Sequence, residues 1–319
     1  MSEKTSIMRK LTAPLIMMGL FYTLAVVLGL KVDIFYLFNF GFIGTALGLG
    51  FGLYAVLPRK NKPMGRLLAQ GLVGLYMLGV LGFIGMENMQ IEGFFLYLFA
   101  GLFYAAVLHY LIAKIIGPLI FSRGWCGWAC WTAMILDLFP YKRNKAGRKR
   151  GFGWIRYLMF FLSLLFVVVI WFFADPSLKG ELTTTSSSSL YLLIAGNILY
   201  YCVGIVLVFV TRDNRAFCKY ICPITLFLKA GARFSLLKIE TDTEKCTGCG
   251  ACDRVCPMDI HISSYAADGK RVLSTECIIC QTCVNGCPEG ALALTTGLDG
   301  SFIADERIRY RGSGTMRGR

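Results

Sequence analysis

Eight of the thirteen cysteines fall into two identical runs near the carboxy-terminal end. Cys246, Cys249, Cys252 and Cys256-Pro257 spell C-x2-C-x2-C-x3-C-P, and Cys277, Cys280, Cys283 and Cys287-Pro288 repeat it. Three closely spaced thiolates cap one face of an iron-sulfur cubane, and the fourth, carried away by the proline turn, ligates a second cubane. The register therefore groups Cys246, Cys249, Cys252 and Cys287 on one [4Fe-4S] cluster and Cys277, Cys280, Cys283 and Cys256 on the other. Zinc also takes C-x2-C pairs, but eight cysteines in this double register favour the cubanes. Thr247, Gly248, Gly250 and Ala251 leave room in the first run for inorganic sulfide and for N–H donors to it. In the second run Ile278 and Ile279 are bulkier and are expected to shield their cluster from water.

Two further pairs are spaced C-x3-C, Cys126 with Cys130 and Cys218 with Cys222. Their contexts align, Arg123-Gly-Trp-Cys126-Gly-Trp-Ala-Cys130 against Arg215-Ala-Phe-Cys218-Lys-Tyr-Ile-Cys222, which marks an internal repeat. Positions i and i+4 share a helix face, so the repeat can bring four sulfurs together at a membrane boundary. Three readings stay open: an additional metal or iron-sulfur site, a pair of redox-active dithiols, or buried structural cysteines, the repeat speaking against the last. Trp125, Trp128 and Trp131 beside the first pair read first as an interfacial aromatic belt. Cys202, alone in an apolar run, reads as packing.

The two histidines, His109 and His261, lie in different regions, so no bis-histidine haem is expected within the apolar part. His109 is costly in lipid and is a candidate for quinone hydrogen bonding or proton transfer, a helix-to-helix hydrogen bond being the plain alternative. Arg123 joins it as a candidate quinone contact, with a charge pair or headgroup snorkelling as its plain alternative.

The elements that carry these residues follow from hydropathy. Of 319 residues 56% are hydrophobic, with mean hydropathy +0.60, too apolar for one soluble globule. Six runs approach the roughly 20 apolar residues that a bilayer core requires: residues 13–30, 35–57, 66–86, 93–120, 153–174 and 190–210. The fold expected is a membrane all-α bundle of about six transmembrane helices followed by a small α+β ferredoxin domain of the bacterial two-cluster type. The divisions are 1–236 for the helical domain, 237–298 for the ferredoxin domain and 299–319 for a basic, disordered tail. Short strands are expected at 237–240, 260–262, 271–273 and 291–294, and a solvated loop at 183–189.

The net charge of +14 is divided by region. Residues 238–299 carry nine acidic and five basic side chains, whereas the basic excess sits in alternate links between apolar runs. That is the pattern that orients membrane proteins, not a nucleic-acid footprint. It places both termini and the cysteine-rich end on the cytoplasmic side of the inner membrane. An acidic ferredoxin domain is then expected to dock against the basic link at 142–150.

The whole pattern resembles the polyferredoxin membrane family that includes the NapH subunit of periplasmic nitrate reductase systems and the membrane half of the nitrous oxide regulator NosR. The likeness covers residues 120–295 and rests on the two ferredoxin runs and on Cys218, Cys222 and Pro223, which form C-x3-C-P. Cys130 departs from it, being followed by Trp131. The family's flavin-bearing outer domain has no counterpart, because no outer link is long enough to fold. The resemblance implies a membrane-bound relay of electrons between a quinone pool or cytoplasmic donor and the redox subunits of a respiratory complex, as part of an oxidoreductase. The alternative is a maturation or regulatory protein that reduces or delivers a metal such as copper to a respiratory enzyme.

Overall fold

The computed structural model describes residues 3–143, 147–149 and 151–299. The chain begins with α1 (Glu3–Lys31) and α2 (Phe35–Val56), antiparallel apolar helices, followed by α3 (Lys62–Leu75), which continues as a π-helix over Tyr76–Ile84. Small residues set the approach of α2 to α3. A Cβ on Gly50 would lie 2.5 Å from the Ala69 Cβ, and one on Gly65 would lie 2.6 Å from the Gly50 carbonyl oxygen. Without a hydrophobic drive in lipid, close backbone packing of this kind is what holds helices together.

The span expected at 93–120 is not one helix. It is divided into α4 (Ile91–Phe99) and a second piece made of α5 (Ala105–His109), a π-helical stretch Tyr110–Ile116 and α6 (Pro118–Phe121). Gly101, at φ +70°, makes the turn between them. The preceding residues 87–90 are non-helical yet buried, with Asn88 and Gln90 sealed inside. Gln90 packs on Gly196, Glu92 bonds Ser163, and Phe99 meets Trp171 edge-on, so α4 starts within the bundle and runs back toward the face the chain has just reached. Irregular backbone at this depth persists only where protein satisfies it. Accordingly, the Asn88 N–H donates to the Tyr97 hydroxyl at 2.9 Å and the Ala106 N–H donates to the Glu87 carboxylate at 2.5 Å. Among the described residues five helical stretches are thus long and apolar enough to cross a membrane, 10–31, 35–56, 62–84, 152–173 and 187–211, with the shorter apolar helix 105–121 beside them.

Past α6 come the short helices α7 (Gly124–Trp128) and α8 (Trp131–Leu136), then α9 (Ile155–Phe173), α10 (Pro176–Thr183) and α11 (Ser187–Thr211). The loop expected at 183–189 is mostly helix end: Ser186 caps α11, accepting the Ser189 N–H at 3.3 Å. Next are α12 (Ala216–Tyr220) and α13 (Thr225–Ala232), which lead into the ferredoxin region.

That region is a small α+β unit. Strand β1 (Leu237–Thr241) is followed by α14 (Ala251–Val255), α15 (Ile262–Ala267) and α16 (Thr282–Gly286), and ends in β2 (Leu292–Thr296). The strands pair antiparallel, Leu237 opposite Thr296. Of the four strands expected, two form. Ile262 instead opens α15, and Val272 donates one N–H to the Ile239 carbonyl at 2.7 Å without extending the sheet. Tail residues 300–319 lie outside the described residues.

Candidate iron-sulfur centres

Cys256, Cys277, Cys280 and Cys283, the set grouped by the ligand-exchange register, line one common cavity walled by Ile239, Met258, Ile260 and Ile278. The fourth cysteine of each run receives the same bond, from the Ile260 N–H to Cys256 Sγ at 3.5 Å and from the Ala291 N–H to Cys287 Sγ at 3.4 Å. Among the described residues no three Cys, His, Asp or Glu side chains converge closely enough for a single metal ion. Burial holds the bare thiols protonated, Cys256 up to about 11 and Cys277 up to about 12, so their deprotonation accompanies cluster binding.

The two ferredoxin runs share a backbone path although their residues differ. Gly248 and Gly250 adopt left-handed φ of 69° and 66°, and the aligned Ile279 and Gln281 do so at 50° and 56°. A β-branched residue in that region is strained. The strain is held by the helical domain, where Trp128 Nε1 donates to the Ile279 carbonyl at 2.8 Å and the Tyr54 hydroxyl donates to the Gln281 carbonyl at 3.1 Å. Ile278 and Ile279 are buried, as the shielding expectation required, whereas Cys249 of the first run is exposed.

The ferredoxin region is seated on the helical domain by charge as well. Glu276 is gripped by Arg123 at 2.5 Å, Arg156 at 2.6 Å, Lys229 at 3.1 Å and Arg148 at 3.2 Å. Asp259 pairs with Arg143 and with Lys219, both at 2.6 Å. Arg143 and Arg148 belong to the basic link expected to dock this domain. Residues 144–146 and 150 of that link lie outside the described residues. Arg156, Lys219 and Lys229, which carry as much of the docking, were not singled out in the sequence because their partners lie far away along it. Burial alone would raise the Glu276 carboxyl, but Arg123 and the other three cations outweigh it and hold it well below the usual carboxylate range.

Cys126, Cys130, Cys218 and Cys222 come together at the face that carries the ferredoxin region, each within electrostatic reach of the others. Neither pair lies on one continuous helix, contrary to the i, i+4 expectation. Cys126 is in α7 and Cys130 just beyond it, and Cys218 is in α12 with Cys222 just beyond. The repeat nevertheless folds alike, since the N–H of Cys130 reaches the Trp125 carbonyl and that of Cys222 the Phe217 carbonyl, both at 3.0 Å. Burial pushes the Cys218 thiol up to about 12. Arg215 donates to the Cys126 carbonyl at 2.9 Å and is paired with Asp137, which Arg66 also holds at 2.7 Å.

Arg123 faces Cys126, Cys218 and Cys222 with its Nε and Nη2 unpartnered, an orphaned donor set that suits sulfur acceptors. Its Nη1 is committed to Glu276. The His109 ring packs 4.6 Å from Trp125 with its Nε2 unpartnered, and His261 is exposed near Asp253. Lys114, buried 4.2 Å above the Trp125 ring, was missed in the sequence, where an amphipathic lysine near a span end is unremarkable.

A family model described as a 4Fe-4S dicluster domain matches residues 238–288. Another, described as a 4Fe-4S binding domain, matches residues 105–152 and again 198–241, the halves that hold the two C-x3-C pairs. The ferredoxin-type protein NapH of Escherichia coli is 25% identical over 58% of this chain and 66% of its own. The methylamine utilization ferredoxin-type protein MauN of Methylobacillus flagellatus is 27% identical over 57% of this chain and 65% of its own. The chain is similar to the NapH-like ferredoxin-type proteins over its cysteine-bearing halves. This NapH-like chain is also 29% identical to an uncharacterized protein of Methanocaldococcus jannaschii, over 59% of this chain and 72% of the other. No solved structure matches it. The matches support iron-sulfur electron transfer by this chain, whose described residues include helices long and apolar enough to cross a membrane.

Proposed function

We propose that this NapH-like polyferredoxin passes single electrons between the cytoplasm and the bilayer through three iron-sulfur centres in series. Clusters, when bound, supply one-electron oxidation and reduction without bond chemistry. Cys246, Cys249, Cys252 and Cys287 hold the outermost, and the exposed Cys249 edge is where a soluble redox partner docks. Cys277, Cys280, Cys283 and Cys256 hold the shielded one, and Cys126, Cys130, Cys218 and Cys222 hold a third. The observation that carries the reading is the contact between binding loops. Trp128, midway between Cys126 and Cys130, bonds the Ile279 carbonyl between Cys277 and Cys280. The twofold match of the 4Fe-4S binding model to the C-x3-C halves supports it.

His109, with its free Nε2 between Trp125 and Trp131, is assigned the contact with quinone. The basic links favour a cytoplasmic position for the ferredoxin region at the inner membrane, and in this reading a respiratory redox complex receives or supplies the electrons. Iron and sulfide analysis with EPR on anaerobically purified protein tests the series. Three signals and about twelve irons per chain are expected, falling to two signals when Cys130 and Cys222 are both replaced by Ser. An unchanged spectrum in that variant removes the third centre. Quinol-dependent reduction that His109→Phe abolishes, with iron content intact, supports the quinone arm. Copper on the four C-x3-C cysteines would favour metal delivery.

A further inference from the structure

Lys114 stands on the π-helical turn that leads toward the four C-x3-C cysteines, and only 2% of it is exposed. Among the described residues no carboxylate lies within ion-pair distance of it. The ammonium rests 4.2 Å above the ring of Trp125, the residue before Cys126, and lies within electrostatic reach of Cys130, Cys126 and Cys222. Isolating a cation in such surroundings costs more than a desolvated cation–π contact returns. Neutral thiols do not close that gap. The neighbouring guanidinium of Arg123 adds to the imbalance, since its Nε and Nη2 have no acceptor. Arg215 offers no relief, being a cation already committed to Asp137.

We propose that the four-cysteine site is permanently anionic, with all four sulfurs as metal-bound thiolates, and that Lys114 is its built-in counter-ion and favours its reduced form. The inference rests on the relay reading and deepens it. A pair of dithiols or disulfides would be neutral and would leave Lys114 unanswered; a metal–thiolate centre answers it. One electron leaves the shielded centre and one arrives at the four-cysteine site, with no bond made and no proton moved. The negative charge there rises by one, and Lys114 stabilises the increase. Placement on a π-turn, a feature frequent at functional sites, aims this lysine at the cysteines.

The test is a redox titration by EPR of the full-length, anaerobically purified protein. In Lys114→Met the signal that depends on Cys130 and Cys222 is expected at lower potential. Its share of electrons relative to the shielded centre falls about tenfold, about 59 mV for one electron. The other two signals hold still, and Lys114→Arg stays near the parent. A third signal that ignores Lys114 overturns this proposal alone; a parent with only two signals overturns the third centre as well. Stability gives a second reading should Lys114→Met accumulate poorly. In a Cys130→Ser, Cys222→Ser background the lysine has lost its anion, so adding Lys114→Met is expected to raise Tm, and no rise overturns the counter-ion role.

Discussion

A single absent methyl group governs how closely the two cysteine-bearing halves of the molecule meet. A Cβ on Gly127 would lie 2.3 Å from the Ile278 carbonyl oxygen, which is backbone and has no room to retreat. Gly127→Ala is expected to destabilise the docked state by about 1–3 kcal/mol. It would slow reduction of the four-cysteine site while cluster content stays the same; stopped-flow traces matching the parent would reject this close approach as functional. The ligating cysteines were legible from spacing alone. Gly127 was not, because its constraint comes from a residue about 150 positions away. Ile279 and Gln281 carry the complementary lesson: they occupy left-handed positions that their aligned partners fill with glycine, tolerated because Trp128 and Tyr54 bond their carbonyls.

Among the elements, the divided fourth span departs furthest from the sequence reading. Hydropathy measures apolar length and is blind to a turn that costs only one glycine, so residues 93–120 read as one continuous crossing. Gly101 at φ +70° ends α4, and a Cβ there would touch nothing. Gly101→Ala is therefore expected to cost about 1 kcal/mol through backbone conformation alone. Gly79, equally uncrowded but inside a helical stretch without positive φ, is the control, and Gly79→Ala is expected to stabilise by about 0.4–1 kcal/mol. Thermal unfolding in detergent checks both signs. Equal effects at the two sites would mean that the turn at Gly101 is not what divides the span. The same limit applies to the C-x3-C pairs, whose spacing suits a helix face but whose helices end before the second cysteine.

At the scale of the whole molecule, an acidic ferredoxin region sits on a basic platform through Glu276 and Asp259. Because its interface cations lower the Glu276 carboxyl when folded, its contribution is fully present above the unfolded value near pH 4.5 and is lost as pH falls through the lower folded value. Asp137, lowered by Arg215 and Arg66 against the opposing effect of burial, behaves the same way. Docking is thus expected to be indifferent to pH between about 5 and 8 and to loosen only below about pH 4. Limited proteolysis of the ferredoxin region across that range checks it, and release between pH 6 and 7 would show that other groups hold the interface. In Glu276→Gln the four cations lose their shared carboxylate. Release of the region already at neutral pH is expected, since unpairing a buried ion pair costs about 3–5 kcal/mol.

Read alone, the sequence determined the chemistry of the thiolate ligands, the apolar lengths that commit the chain to a membrane, and the opposite charges of its two halves. These are local properties, set by spacing and composition within a few turns of chain. The tertiary structure decided which cysteine loops touch, which cations surround Glu276, where the fourth span breaks, and that Lys114 lies near three of the four C-x3-C sulfurs with no carboxylate among the described residues to answer it. Each of those is a meeting of residues distant in the chain, brought about by packing and by the need to satisfy buried polar groups. No local pattern of residue types encodes it.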